Sequence, residues 1–209
     1  MLIEAVRRFS RVAQGVTSDV RSGAYRELIV NDTGTGRYAE SVVNGATFMA
    51  SNSANQALSV GNSTATGLVL TNPAGSGKGL VLLEAIGALD IAATAMGGVA
   101  LFANVNPVAA AVTHTTPLTV RPAALGSTAT GAGLADSAAT LPATPILVRP
   151  LLSVYWITAN AAVANLAFKD DIGGALVVTP GCAVSIQAQT TAVTGIFSMT
   201  WAELDWPLA

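Results

Sequence analysis

Residues 68–89, LVLTNPAGSGKGLVLLEAIGAL, decide how the chain is read, because they hold its one stretch that resembles a phosphate-binding loop. Such a loop needs a glycine five residues ahead of its Gly-Lys pair and a Ser or Thr directly after it. Those places hold Asn72 and Gly79. Nor does a phosphate-capping helix come after the pair. Val81, Leu83, Ala85, Leu89 and Ile91 are apolar at odd positions, and Glu84 and Asp90 stand at even ones, the period of a half-buried strand. Residues 72–78 therefore read as a polar turn, with 67–71 and 79–91 as adjacent strands of a hairpin and Lys78 as a surface charge.

Outward from this stretch, composition sets the class. The chain has 209 residues, enough to bury a core without disulfides or metals. Charged residues are 11% and hydrophobic residues 51%, against about 25% charged in ordinary globular chains. A surface so poor in charge protects weakly against association, so an oligomer is expected. The net charge of -2 gives no dense basic face, and nucleic acid is not expected as a partner. The lone Cys182 excludes an internal disulfide and reads as a buried small hydrophobe.

Charge is unevenly spread. Residues 1–40 hold six Arg and five acidic residues, half of the charged groups in the chain. Within them Leu2, Ala5, Val6, Phe9, Val12, Ala13 and Val16 form one helical stripe, with Arg7, Arg8 and Arg11 off it. This predicts an amphipathic helix and arm over residues 1–36, either packed on its own domain or docked on another subunit. No apolar run opens the chain as a secretory signal would. Residues 80–105 are apolar but broken by Glu84, Asp90 and Gly97-Gly98, so no membrane association is expected.

Residues 37–209 read as one all-β domain. Strand-like segments at 38–43, 47–51, 57–60, 67–71, 79–91 and 99–104 are separated by Asn-Gly, Gly-Asn and Asn-Pro signals, a spacing typical of antiparallel sandwiches or barrels. Residues 106–145, rich in Ala, Thr, Gly and Pro, read as a long loop region with one short strand at 118–120. Further strands are expected at 146–148, 153–158, 175–179 and 182–189, where Val184, Ile186 and Ala188 alternate with Ser185, Gln187 and Gln189. A closing strand carries Phe197, Met199 and Trp201.

The inventory for catalysis is thin. His114 lies in AVTHTTP with no acid near it in sequence and reads as a solvated loop residue. One His and one Cys cannot make a zinc site. Lys169-Asp170-Asp171 reads as a charged hairpin turn, with calcium as the alternative use of its carboxylates. Trp156 and Trp201 belong on strands, in a core or subunit seam; turned outward with Tyr155 and Trp206 they would instead line a sugar-binding face. No catalytic residue, metal or cofactor is assigned.

The stretch NPAGSGKGLVLLEAIGAL, the Ala, Thr and Gly rich middle and the ending PGCAVSIQAQTTAVTGIFSMTWAELDW resemble small accessory virion proteins of tailed bacteriophages, in particular head decoration or cement proteins with jelly-roll domains. The resemblance covers roughly residues 36–206. It implies a non-enzymatic jelly-roll β-sandwich that trimerises on the capsid surface and clamps neighbouring major capsid subunits, with an N-terminal arm as an extra tether. On that reading Leu2, Val6 and Phe9 with Arg7, Arg8, Arg11, Arg21, Arg26 and Arg37 contact the shell. The competing expectation is a tail fibre, adaptor or glycan receptor-binding module.

Overall fold

The computed structural model describes residues 38–90, 97–105, 111–154 and 166–206. One short helix, α1 (Ala39–Val43), precedes twelve strands: β1 (Thr47–Ser51), β2 (Gln56–Ala57), β3 (Thr64–Thr71), β4 (Lys78–Leu89), β5 (Gly97–Asn104), β6 (Thr113–Leu118), β7 (Arg121–Pro122), β8 (Leu134–Thr140), β9 (Ile146–Val154), β10 (Leu166–Val178), β11 (Ala183–Ala188) and β12 (Thr194–Asp205). They form two antiparallel sheets packed face to face, the all-β sandwich expected. The first runs β10-β4-β12-β1-β7, with β2 also on β12, and the second β6-β8-β3-β11-β5-β9.

The pairing defines the architecture. With β2 and β6 to β8 set aside, the first remaining strand pairs with the last (β1 with β12), the second with the seventh (β3 with β11), the third with the sixth (β4 with β10) and the fourth with the fifth (β5 with β9). The contacts β12 with β4 and β11 with β5 then join these pairs into two four-stranded sheets. A long hairpin rolled up in this way is a jelly roll. The segment between β5 and β9 is an insertion whose β8 and β6 extend the second sheet beside β3 and whose β7 extends the first beside β1.

Rolling corrects the reading of the opening stretch. Residues 67–71 and 79–91 do not form a hairpin, because β3 lies in the second sheet and β4 in the first. The turn at 72–77 crosses the roughly 10 Å between layers. Asn72 is its fastening point. Its N–H donates to Cys182 O (2.9 Å) and its carbonyl accepts from Gly181 (2.8 Å), while its side-chain amide donates to Lys78 O (2.7 Å) and Val178 O (2.8 Å). One buried residue thus joins the ends of both sheets. Gly75 and Gly77 have φ of 78° and 66°, left-handed angles that cost glycine nothing.

The alternation along β4 also breaks. Its register against β12 and against β10 slips at Leu83, a β-bulge. Leu80 and Leu82 face the core before the bulge, and Ala85, Gly87 and Leu89 after it. Odd positions therefore point inward only beyond Leu83. At Gly87 a Cβ has no room between the rings of Phe168 and Phe197.

Three further expectations change. Residues 38–43 are turn and helix rather than strand, with Ser41 Oγ hydrogen-bonded to Thr47 Oγ1 (2.7 Å) where α1 meets β1. Residues 106–145 contain β6, β7 and β8 rather than a long loop, because β3 and β1 present open edges that even Thr- and Pro-rich segments can pair with. Lys169, Asp170 and Asp171 lie inside β10, not in a turn; the glycines after them occupy its bulge, where the register slips between Asp171 and Leu176. The closing strand is as expected: Phe197, Met199 and Trp201 enter the main core, and the rings of Trp201 and Phe48 lie 6.5 Å apart.

Candidate functional site

The site builds from the rim where β9 and β10, edge strands of opposite sheets, run side by side. The ladder of β9 on β5 slips twice, between Val99 and Ala100 and between Leu101 and Phe102, so β9 bulges around Arg149 and Pro150. Pro150 has no N–H to offer a further strand. Strand β10 is bulged at Gly173 and Gly174. Both edges are thereby blunted against strand addition. Arg149 closes the rim: its Nε donates to Asp170 Oδ2 (2.5 Å) and its Nη2 to Asp170 Oδ1 (3.0 Å), a bidentate pair between the sheets. The bond to Asp170 raises the guanidinium pKa further above its ordinary value.

Next to this clip the surface is apolar. Ile146 is 52% exposed, Leu147 46% and Val148 36%, three consecutive residues, and Val105 and Val177 are exposed beside them. Runs of three exposed apolar residues are uncommon on a free surface and mark contact sites. Below them a cavity of about 280 Å³ opens between the sheets, lined by Leu82, Val105, Val148, Leu176, Val178 and Cys182. Cys182 is buried there as expected, its Sγ 3.3 Å from Thr179 Oγ1 and 3.7 Å from Val105 O. The chemistry available at this rim is burial of apolar area, worth about 25 cal/mol per Å².

A second polar feature lies on the insertion. His114 is on β6, not in a loop, and its Nδ1 is 2.6 Å from Asp136 Oδ2 on β8. Asp136 is fully buried. Sequence separation hid this acid, since only the pairing of β6 with β8 brings positions 114 and 136 together.

The shell-contact residues expected from sequence, Leu2, Val6, Arg7, Arg8, Phe9, Arg11, Arg21, Arg26 and Arg37, lie outside the described residues, as do Tyr155 and Trp156. Lys78 is at the surface and its Nζ bonds Asp205 Oδ1 at 2.5 Å, which raises the lysine pKa and lowers that of the acid. Lys169 pairs with Glu84 at 2.9 Å. Asp170, the candidate calcium ligand, is taken by Arg149, and among the described residues no three His, Cys, Asp or Glu side chains gather where a metal ion needs them. Trp206 is half-exposed and stands over Gly79. Sequence reading recognises 146–148 as a strand but not as an exposed edge; the signal is Pro150, which a central strand does not tolerate.

No protein-family model, curated protein or solved structure matches this chain.

Proposed function

We propose that the chain is a non-enzymatic virion structural protein that decorates a bacteriophage capsid, as a trimer on its outer surface, and cements it by bridging major capsid subunits. The observation that carries this reading is the exposed apolar run Ile146, Leu147 and Val148 beside an open cavity, on a rim whose edge strands β9 and β10 are blunted against strand addition. Such a surface associates through side chains, so a partner adds buried area without extending a sheet. A decoration protein stabilises a shell in this manner, and the gain grows with each copy bound. The resemblance of the sequence to phage accessory proteins supplies the identity of the shell.

The test is co-sedimentation with empty capsids. Deleting residues 1–35 and, separately, Leu147→Asp should each leave a folded protein that no longer pellets with shells. Unchanged pelleting of both variants overturns the assignment. The half-exposed Trp206 favours one second reading, a glycan-binding tail module. On a glycan array, saccharide binding lost on Trp206→Ala would replace the capsid role with that one.

A further inference from the structure

We propose that the cavity at the β9–β10 rim binds a small uncharged apolar molecule, the size of one or two hydrocarbon rings. The site goes beyond the capsid role and needs only the free protein.

The cavity lies between two bulged edges. The slip of β9 against β5 between Leu101 and Phe102 leaves Val148 as the extra residue, and β10 slips against β4 between Asp171 and Leu176. Val148 and Leu176 both line the cavity. Bulges bend a strand and re-aim its side chains, and they gather at binding sites. The opening reaches the main core: Leu82, Val178, Cys182 and Val184 are members of the central cluster and line the cavity as well. Exposed Val105 and Val148 belong to its lining too, which gives a ligand its way in from the surface.

Volume sets the size of the ligand. A close-packed interior holds few voids larger than a water molecule, and an apolar cavity of about 150 Å³ stays dry and takes up benzene. This one is about 280 Å³. A hydrocarbon there gives the aliphatic wall the contacts that close packing gives the rest of the core.

The chemistry of the wall sets the class. Among the described residues no Asp, Glu, Lys, Arg or His side chain lines the cavity, so a charged ligand would lose its hydration with no counter-ion in return. The polar side chains of the wall already have partners. Asn104 Nδ2 donates to Ala143 O (3.2 Å), and Cys182 Sγ lies 3.3 Å from Thr179 Oγ1 and 3.7 Å from Val105 O. The ligand is therefore uncharged and held by apolar contact.

Cys182 is the only cysteine in the chain, so an isotope label on its Cβ gives one NMR signal that needs no assignment. The experiment titrates the full-length protein at neutral pH with toluene and with benzoate, the same ring carrying a charge. Saturable toluene binding that moves the Cys182 signal and raises the melting temperature is the expected result, with benzoate at least about tenfold weaker. Val148→Phe fills the cavity from its mouth and should abolish toluene binding. Its melting temperature without ligand checks that it is folded, and the parent protein's readouts decide by themselves if it is not. No saturable binding, equal affinity for benzoate, an unmoved Cys182 signal, or toluene binding that survives in folded Val148→Phe overturns the site. Capsid pelleting is not among these readouts, so the site and the capsid role are judged separately.

Discussion

The outer faces of the two sheets differ although both come from strands of alternating polarity. On the first sheet the outward positions of β4 and β12 are Glu84, Ile86, Ile196, Ser198 and Thr200. Ile86 and Ile196 are exposed, and Lys169 of β10 reaches Glu84 across the surface. On the second sheet the outward positions Val69, Ala100, Phe102, Asp136, Ser185 and Gln187 are buried, and exposure returns only at margins such as Leu134 and Leu147. Gln187 has no exposed surface. It accepts from Ser59 Oγ (3.1 Å) and Asn62 N–H (2.9 Å) and donates to Asn62 O (3.2 Å) and Ser185 Oγ (2.8 Å). Outward and wet are therefore separate properties. A polar side chain on an outer face is solvated only where nothing folds over it; otherwise its hydrogen bonds must be supplied by protein.

The contrast between the faces breaks most visibly at Gln187. Gln187→Ala should cost about 2–4 kcal/mol in denaturant unfolding, because it opens a void and strands the Ser59 and Asn62 partners. The matched change on the other sheet, Ile196→Ala, should stay within about 0.5 kcal/mol. Equal costs would mean that the two faces are buried alike. Asn72→Ala comes next, at about 2 kcal/mol by the same measurement, since it leaves the carbonyls of Lys78 and Val178 at the sheet ends without their shared donor. Arg149→Met should cost about 0.5–1 kcal/mol, a part-exposed pair discounted for solvent, and less at high salt.

The smallest effect belongs to the surface pair of Lys78 and Asp205. Asp205 is held below its ordinary value of 3.8, so the pair's contribution is present above that pH and is lost as pH falls through the depressed value. Lys78→Ala should fold normally. Its melting temperature should trail the parent only slightly at pH 7 and meet it in acid. A gap that widens as pH falls would reverse the sign of this linkage.

Several local features are legible from the residues. The closing strand is readable because Phe197, Met199 and Trp201 alternate without a bulge. The strand at β4 is readable too, but not its inward side throughout, since one extra residue at Leu83 reverses the phase. The insertion reads as loop because Thr-His-Thr-Thr-Pro carries no apolar period; β6 is a strand only because β8 offers it an edge. The rim at Ile146 to Val148 looks like any strand, since exposure depends on which neighbour a strand lacks. The residues at 68–89 show that no phosphate loop is present, but not that the strands flanking the turn part to different sheets.

The sequence by itself determined that residues 37–209 are all-β, that Trp201 lies on a strand in a core or subunit seam, that Cys182 is inside, and that the chain turns after Thr71. These properties come from side-chain period and backbone preference, which act over a few residues. Only the tertiary structure decided that the strands on either side of that turn belong to different sheets, that Asp136 meets His114, and that Gln187 is dry. Each rests on pairing between residues far apart in the chain, where loop closure is nearly indifferent to length and burial of the common core selects the partner.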